Sequence, residues 1–432
     1  MIQKYSIPKL IFLILFIHSF QLNAGNDVKL TKRDIDERIL AGLTLNIKWF
    51  GATGTSSNDT DAFKNAIDYL NSTNCASLFI PSGIYIVSPS IIKLKKSCKI
   101  FGDGKSSIIK PDNNHRAKEQ KNAAGIEILS SGCIIEDIQI RDYAIGIKWN
   151  KLQQINIIRC HIFQNSIGIH CTDAYINNIS NNYLTFNNIG IVSLGQSYQL
   201  LIISNVIDNN ISIIKGGIGI FLSGSNGCEI RSNTIEGNRN MKKGAGCGIY
   251  IAGVCTKLNI IGNWFEINFE KDNINTNIGV DIYCANGMDN YISDKHQSKL
   301  IENIIPDELV SYAINTAYGS LNIRDNIHIS TPFAIILSYF HYGRVSISGQ
   351  IFTGDNRFLN KPIYLRNNLN RFYNTVINLY DNREQNTYGN TANITRNMLS
   401  GINNSLLFLE SNFQATGNLT INYDGNLIYK NQ

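Results

Sequence analysis

Apolar and polar residues alternate in short runs along most of the chain, and the runs recur. The pair Gly-Ile returns at Gly146-Ile147, Gly168-Ile169, Gly190-Ile191, Gly219-Ile220 and Gly248-Ile249, with Gly279-Val280 as a sixth copy; the spacings are 22, 22, 29, 29 and 31 residues. A second phrase, a β-branched strand followed by Asn, any residue and an apolar one, reads Asn182-Tyr183-Leu184, Asn205-Val206-Ile207, Asn233-Thr234-Ile235 and Asn263-Trp264-Phe265. Cys160 and Ile138 hold the Asn position in the two earliest copies. A further column is Asn165, Asn187, Asn210, Asn238 and Asn268. Alternation at period two predicts strands, and no copy holds a helix-length 3.6 pattern. One copy is therefore three short strands joined by turns. Such a unit cannot bury its own apolar face, so copies must stack. Three-stranded coils stacked about one axis form a parallel β-helix, an all-β solenoid of ~22-residue coils. Asn at a repeated turn then bonds its equivalents above and below and satisfies turn amides that would otherwise be buried unpaired. Scarcity of Leu at fixed positions excludes a leucine-rich repeat, and a propeller blade needs about 40 or more residues.

Before the repeats, Ala62, Phe63, Ala66, Ile67 and Leu70 share one helical face, with Asp59 or Thr60 as its N-cap. This helix is expected to plug the open end of the stack, where the first coil would offer an unpaired edge. Beyond about residue 285 the register loosens. Segments 321–329, 344–351 and 362–365 read as further coils, so the β-helix is assigned to 45–370. Residues 371–432 are strand-like but out of step, as a C-terminal β cap or the last coils would be.

Composition narrows the class. Hydrophobic residues at 43% and charged residues at 17% exclude a disordered chain. The net charge of +6 permits an anionic partner, but no Lys/Arg block argues for nucleic acid. Residues 1–24 have the layout of a secretory signal peptide: Lys4 and Lys9, an apolar run over 10–20, then Leu22-Asn23-Ala24. The run is too short to span a bilayer. Removing Lys4 and Lys9 takes the charge from +6 to +4, and the mature protein is expected to be secreted or periplasmic with no membrane span.

The segment Leu45-Asn46-Ile47-Lys48-Trp49-Phe50-Gly51-Ala52-Thr53-Gly54 is followed by Asn58-Asp59-Thr60-Asp61-Ala62-Phe63, then by Ile80-Pro81-Ser82-Gly83 and Gly102-Asp103-Gly104. This resembles the opening segment of the pectate-lyase-like superfamily of right-handed parallel β-helix proteins, of the rhamnogalacturonase/epimerase type. The resemblance covers roughly residues 45–285. It implies a polysaccharide partner and one of several chemistries, since the superfamily hosts lyases, hydrolases, epimerases, tailspikes and non-enzymes. In the family the substrate usually lies along one sheet between flanking loops, and the Gly-Ile strand matches that sheet by order.

The residue after each inward Ile or Val should face out, and this column reads Lys148, His170, Val192, Phe221, Tyr250 and Asp281. Flat aromatics with scattered charge suit a sugar chain, so Lys148, Tyr250 and Asp281 are candidate substrate-binding residues. Insertions just before the Gly-Ile strands add Lys215, Arg239, Lys242, Lys243 and Lys271 as a basic rim that would concentrate an acidic polysaccharide. His170 with Asp173 is the best acid–base pair, the carboxylate being expected to raise the imidazole pKa. Family signatures are missing: the epimerases' Asp-Pro-His-Asp, and the polygalacturonases' Asn-Thr-Asp, paired Asp and Gly-His-Gly. A competing column, Asp208, Glu236 and Glu266, spaced ~4.8 Å per coil, would suit a glycoside hydrolase or a Ca²⁺ ion. Cys75 and Cys98 precede strands expected to stack on adjacent coils, so a disulfide between them is expected in an exported chain. No Cys/His cluster has zinc spacing. The reading is an exported enzyme that cleaves or modifies an acidic, uronate-containing polysaccharide as a lyase or glycoside hydrolase. Its alternative is a non-catalytic polysaccharide-binding or surface adhesion protein on the same scaffold.

Overall fold

The computed structural model describes residues 29–40, 44–112, 122–213, 215–242, 245–268, 278–284, 306, 309, 318–329, 333–337, 340–348, 350–353, 361–365, 372–380, 383–385, 407–409, 419–423 and 426–431. The signal-like segment 1–24, Lys243 and Lys271 lie outside them. The chain winds as a right-handed parallel β-helix. Ile145–Asn150 lies on the first face, Asn156–Ile158 on the second and His161–Phe163 on the third; Ile167–Thr172 then returns to the first. We call these the Gly-Ile sheet, the second sheet and the short sheet. Strands Ile218–Asn226 and Ala245–Ile261 run through the corner between the first two, which therefore share one hydrogen-bonded ladder. Strands 340–348, 372–380 and 419–423 continue the parallel pairing of the second sheet, and Asn426–Asn431 folds back antiparallel. Among the described residues no helix is long and apolar enough to cross a membrane.

Helix α1 spans Lys32–Leu40 and α2 spans Thr60–Ser72. The apolar face of α2 is the expected one, with Ala62, Phe63, Ala66, Ile67 and Leu70 all buried. Its N-cap side chain is not used as expected. Asp59 turns instead to the backbone N–H of Thr53 (2.7 Å) and Gly54 (3.3 Å), while Asn58 Oδ1 accepts from Thr60 N–H. Those N–H groups belong to the preceding loop, which Asp59 pins beneath the helix.

Register follows the sequence repeat over five coils. Ile147, Ile169, Ile191, Ile220 and Ile249 stack as lateral partners, all fully buried. The preceding Gly is obligatory, because a Cβ on Gly146 would lie 2.5 Å from the Gly168 carbonyl oxygen. Behind each turn the Asn side chains form ladders. In one, Asn182 Nδ2 donates to Asn205 Oδ1, Asn205 to Asn233, Asn233 to Asn263 and Asn263 to Asn326, at 2.9–3.0 Å. In the other, Asn165, Asn187, Asn210, Asn238 and Asn268 are joined at 2.8–3.1 Å. Every link is buried, so leaving one unmade would cost roughly 1–3 kcal/mol.

The ladders end together, and this corrects one expectation. Asp281 does not face out. Tyr283 occupies the position beside Tyr250, and Gly279 lies opposite Gly246, so Asp281-Ile282 stands where other coils place Gly-Ile. Asn268 Nδ2 donates to Asp281 Oδ1 (2.9 Å), and Asn326 Nδ2 donates to Gln350 Oε1 (3.2 Å). His328 bridges the two ends, with Nδ1 2.9 Å from Asp281 Oδ2 and Nε2 3.1 Å from Gln350 Oε1. Asp281, His328 and Gln350 are all fully buried. The amide at the end of a polarised ladder needs an acceptor, and a carboxylate beside an imidazole supplies one.

The expected Cys75–Cys98 disulfide is absent; both are free thiols. Cys98 instead shares a thiol hydrogen bond with Cys133 of the next coil, which pushes the Cys98 pKa up. The strands pair Lys99 with both Ser77 and Ile134, so Cys98 stacks on Ala76 and Cys133 while Cys75 sits one residue out of step.

Candidate functional site

The outer surface of the Gly-Ile sheet is two different surfaces. The column runs Lys93, Glu127, Lys148, His170, Val192, Phe221, Tyr250 and Tyr283. From Val192 onward it is buried. Val192, Leu194, Phe221, Tyr250, Tyr283 and Leu309 belong to a second apolar core on the outside of the sheet. Phe221 and Tyr250 stack at 5.2 Å with planes 11° apart. Tyr250 therefore faces out of the coil, as expected, but contributes to packing and does not line an open sugar cleft.

The first coils keep the polar half. There a cavity of about 450 Å³ is lined by residues that include Glu127, Lys148, Asn150, His170 and Thr172. Lys148 Nζ lies 3.1 Å from Glu127 Oε1 and donates to the Asn122 carbonyl (2.9 Å). Lys93 Nζ is 3.6 Å from Glu127 Oε2. The column thus alternates cation, anion, cation, imidazole. Each of these charges has a neighbour of opposite sign. His170 lacks this support. Its Nε2 is buried with no hydrogen-bond partner, and burial, then Lys148, lowers its pKa to about 4. That reverses the expected upward shift. Asp173 is not among the groups that shift this pKa; its Oδ1 accepts from Gln196 N–H (2.8 Å) across the turn. His170 is therefore neutral near pH 7, with one ring nitrogen aimed at no protein group.

Glu127 and Lys93 were not among the expected site residues. The signal was present for Glu127, since Gly125-Ile126 is one more copy of the repeat, with Glu127 next in line. Lys93 follows Ile92 without a Gly, and only strand pairing brings it into the column.

None of the described members of the basic rim lines the cavity. Arg239 Nη1 bonds Asn209 Oδ1 and the Gly237 carbonyl at the short-sheet corner, and Lys242 is exposed. The Lys215 carbonyl accepts from Ser212 Oγ within its own turn.

The competing carboxylates stand in register on the outside of the short sheet, Asp208 beside Glu236 and Glu236 beside Glu266. Burial, then Glu266 and Asp208, raises the Glu236 pKa. Trp264 Nε1 donates to Glu266 Oε2 (3.2 Å), and Trp264, Tyr183 and Phe186 are exposed on the same side. Nearby, His161 is lowered to about 4 by burial and then by Lys105. Among the described residues no group of three or more His, Cys, Asp or Glu is arranged to hold a metal ion, so the acidic column gives a Ca²⁺ site no support.

Residues 44–254 match the model of a family described as rhamnogalacturonase A/epimerase, pectate lyase-like. No curated protein sequence matches the chain. Among solved structures, the Dettilon tailspike protein aligns at 15% identity and TM-score 0.51, over 88% of this chain and 68% of that one. The Streptococcus pneumoniae surface protein and adhesin PfbA aligns at 12% identity and TM-score 0.51, over 88% of this chain and 100% of that one. Geobacillus virus E2 ORF18 aligns at 15% identity over 91% of this chain, which spans 64% of its length, but its TM-score of 0.45 is too low to carry an argument. At such identities the likeness is one of fold. Together with the coil register, it shows the right-handed parallel β-helix fold, and over residues 44–254 the chain is similar to the pectate-lyase-like rhamnogalacturonase A/epimerase family.

Proposed function

We propose that the protein binds an acidic polysaccharide in the Glu127–Lys148–His170 cavity and acts on it as a lyase. The observation that carries this reading is the buried, unpartnered Nε2 of His170 beside an ion-paired lysine at the wall of a cavity. A lyase removes the proton next to a uronate carboxylate, forms a C=C bond and expels the neighbouring sugar oxygen, which takes up a proton from the protonated base or from water. It needs a neutral base and a cation that offsets the charge building on the carboxylate. His170 is the base, Lys148 offsets the charge, and Glu127 positions Lys148. The cavity lining includes one carboxylate, Glu127, where most glycoside hydrolases use two. The family match and the solvent-facing position of the cavity support the glycan, and the layout of residues 1–24 supports export.

One observation favours a second reading. Glu236 holds its proton to higher pH than an ordinary carboxyl, as a hydrolase acid would, beside Asp208 and Glu266. Incubation with a panel of acidic glycans, read by unsaturated-uronate absorbance and by new reducing ends, separates the readings. A lyase yields both signals, a hydrolase only reducing ends, and a binding protein neither. His170→Ala should cut turnover about 10²–10⁴-fold if the cavity is the active site. A silent His170→Ala with an inactive Glu236→Gln would move the site to the short sheet.

A further inference from the structure

We infer that the cavity takes the end of a glycan chain and not a stretch from its middle. The inference rests on the glycan reading of the cavity and goes beyond it. A sugar chain laid along the Gly-Ile sheet would follow the outward columns from coil to coil. On the N-terminal side it meets open surface: the Lys93 side chain is 43% exposed and Leu129 47%. On the other side it does not. The next positions after His170 and Thr172 are Val192 and Leu194, at 0% and 4% exposure. Behind them stand Phe221 and Tyr250, both fully buried. The polar column stops at His170, and the positions in line after it are buried and apolar, so the polar surface ends there.

The chemistry at that end fits a terminal sugar. A passing chain offers glycosidic oxygens on both sides of each unit, and its next unit would leave the polar column for the line of the buried apolar residues Val192 and Leu194. Desolvating its polar groups there disfavours mid-chain binding. A terminal unit instead turns its outermost hydroxyl towards His170 and Thr172, and the unpartnered His170 Nε2 supplies one hydrogen bond. A cavity of about 450 Å³ is in the range for a small ligand.

The experiment is calorimetric titration of the full chain with size-defined oligouronates of increasing length and with the parent polymer, each expressed per chain end. Affinity should rise at least about tenfold over the first two or three units and then change less than about twofold up to the polymer. Lys148→Ala should abolish the heat at every length, which locates the binding. Affinity per chain that keeps rising well past three units would overturn chain-end recognition and leave the glycan site standing. Binding untouched by Lys148→Ala would overturn the inference by placing the glycan elsewhere. No binding at any length would remove both the inference and the glycan reading beneath it.

Discussion

Two histidines sit on the wall of the same solenoid, one facing in and one facing out, and their surroundings differ in a way that separates structure from chemistry. His328, inside, has Asp281 on one nitrogen and Gln350 on the other, at the junction of two asparagine ladders. His170, outside, has a buried Nε2 with no protein partner. A buried polar group costs free energy until it is paired. The interior group is paired within the fold. The outer one is paired only when something enters the cavity. His170 shares this lack of a partner with His161 Nδ1 and Asp208 Oδ1 on the short-sheet side, and what distinguishes it is its place at the wall of a cavity beside Lys148.

The largest effect should come from breaking the interior pair. His328→Phe strands the Asp281 carboxylate in the core and should cost about 3–5 kcal/mol in denaturant unfolding. The double variant Asp281→Gly/His328→Phe should recover most of that loss. Gly is the usual residue at the first position and Phe265 holds the second one coil earlier. If the double variant is as unstable as the single, the pair has some role beyond satisfying the ladder ends.

Next is the outer core beyond His170. Phe221→Ala should cost about 3–5 kcal/mol by leaving a void in the outer core. Thr172→Ala, on the open half of the same face, should cost under ~0.5 kcal/mol. Equal losses would mean that the two halves of the face do not differ as described.

A smaller effect is acid sensitivity. Burial and Lys148 hold the folded-state pKa of His170 at about 4, against an ordinary 6.5. The unfolded chain therefore takes up the proton first. Stability is full above pH 6.5 and falls as pH drops towards about 4. His161 contributes in the same window, through burial and Lys105. His170→Gln should flatten part of the slope there and leave stability near pH 8 almost unchanged; an unaltered slope would mean that His170 is solvated. The smallest effect is at the loop edge, where Lys242→Glu should shift stability by less than ~0.5 kcal/mol and leave binding in the cavity intact.

The sequence by itself determined the solenoid. Ile in the Gly-Ile strands and Asn at most of the turns can be satisfied only if equivalent positions stack, so spacing fixes coil length, register and inward columns without reference to distant contacts. It also exposed Lys148 and His170 as outward residues, because alternation is local. Tertiary structure decided the rest, because the remaining questions depend on what covers a residue. Alternation places Val192, Phe221 and Tyr250 outside, yet whether an outside residue meets water or a second core depends on chain segments far away, such as that carrying Leu309. The two-residue shift that takes Asp281 inside was likewise illegible, since Gly279-Val280 matches the repeat. Only the buried amide of Asn268 and the ring of His328, brought alongside by later coils, make the shifted register the satisfied one.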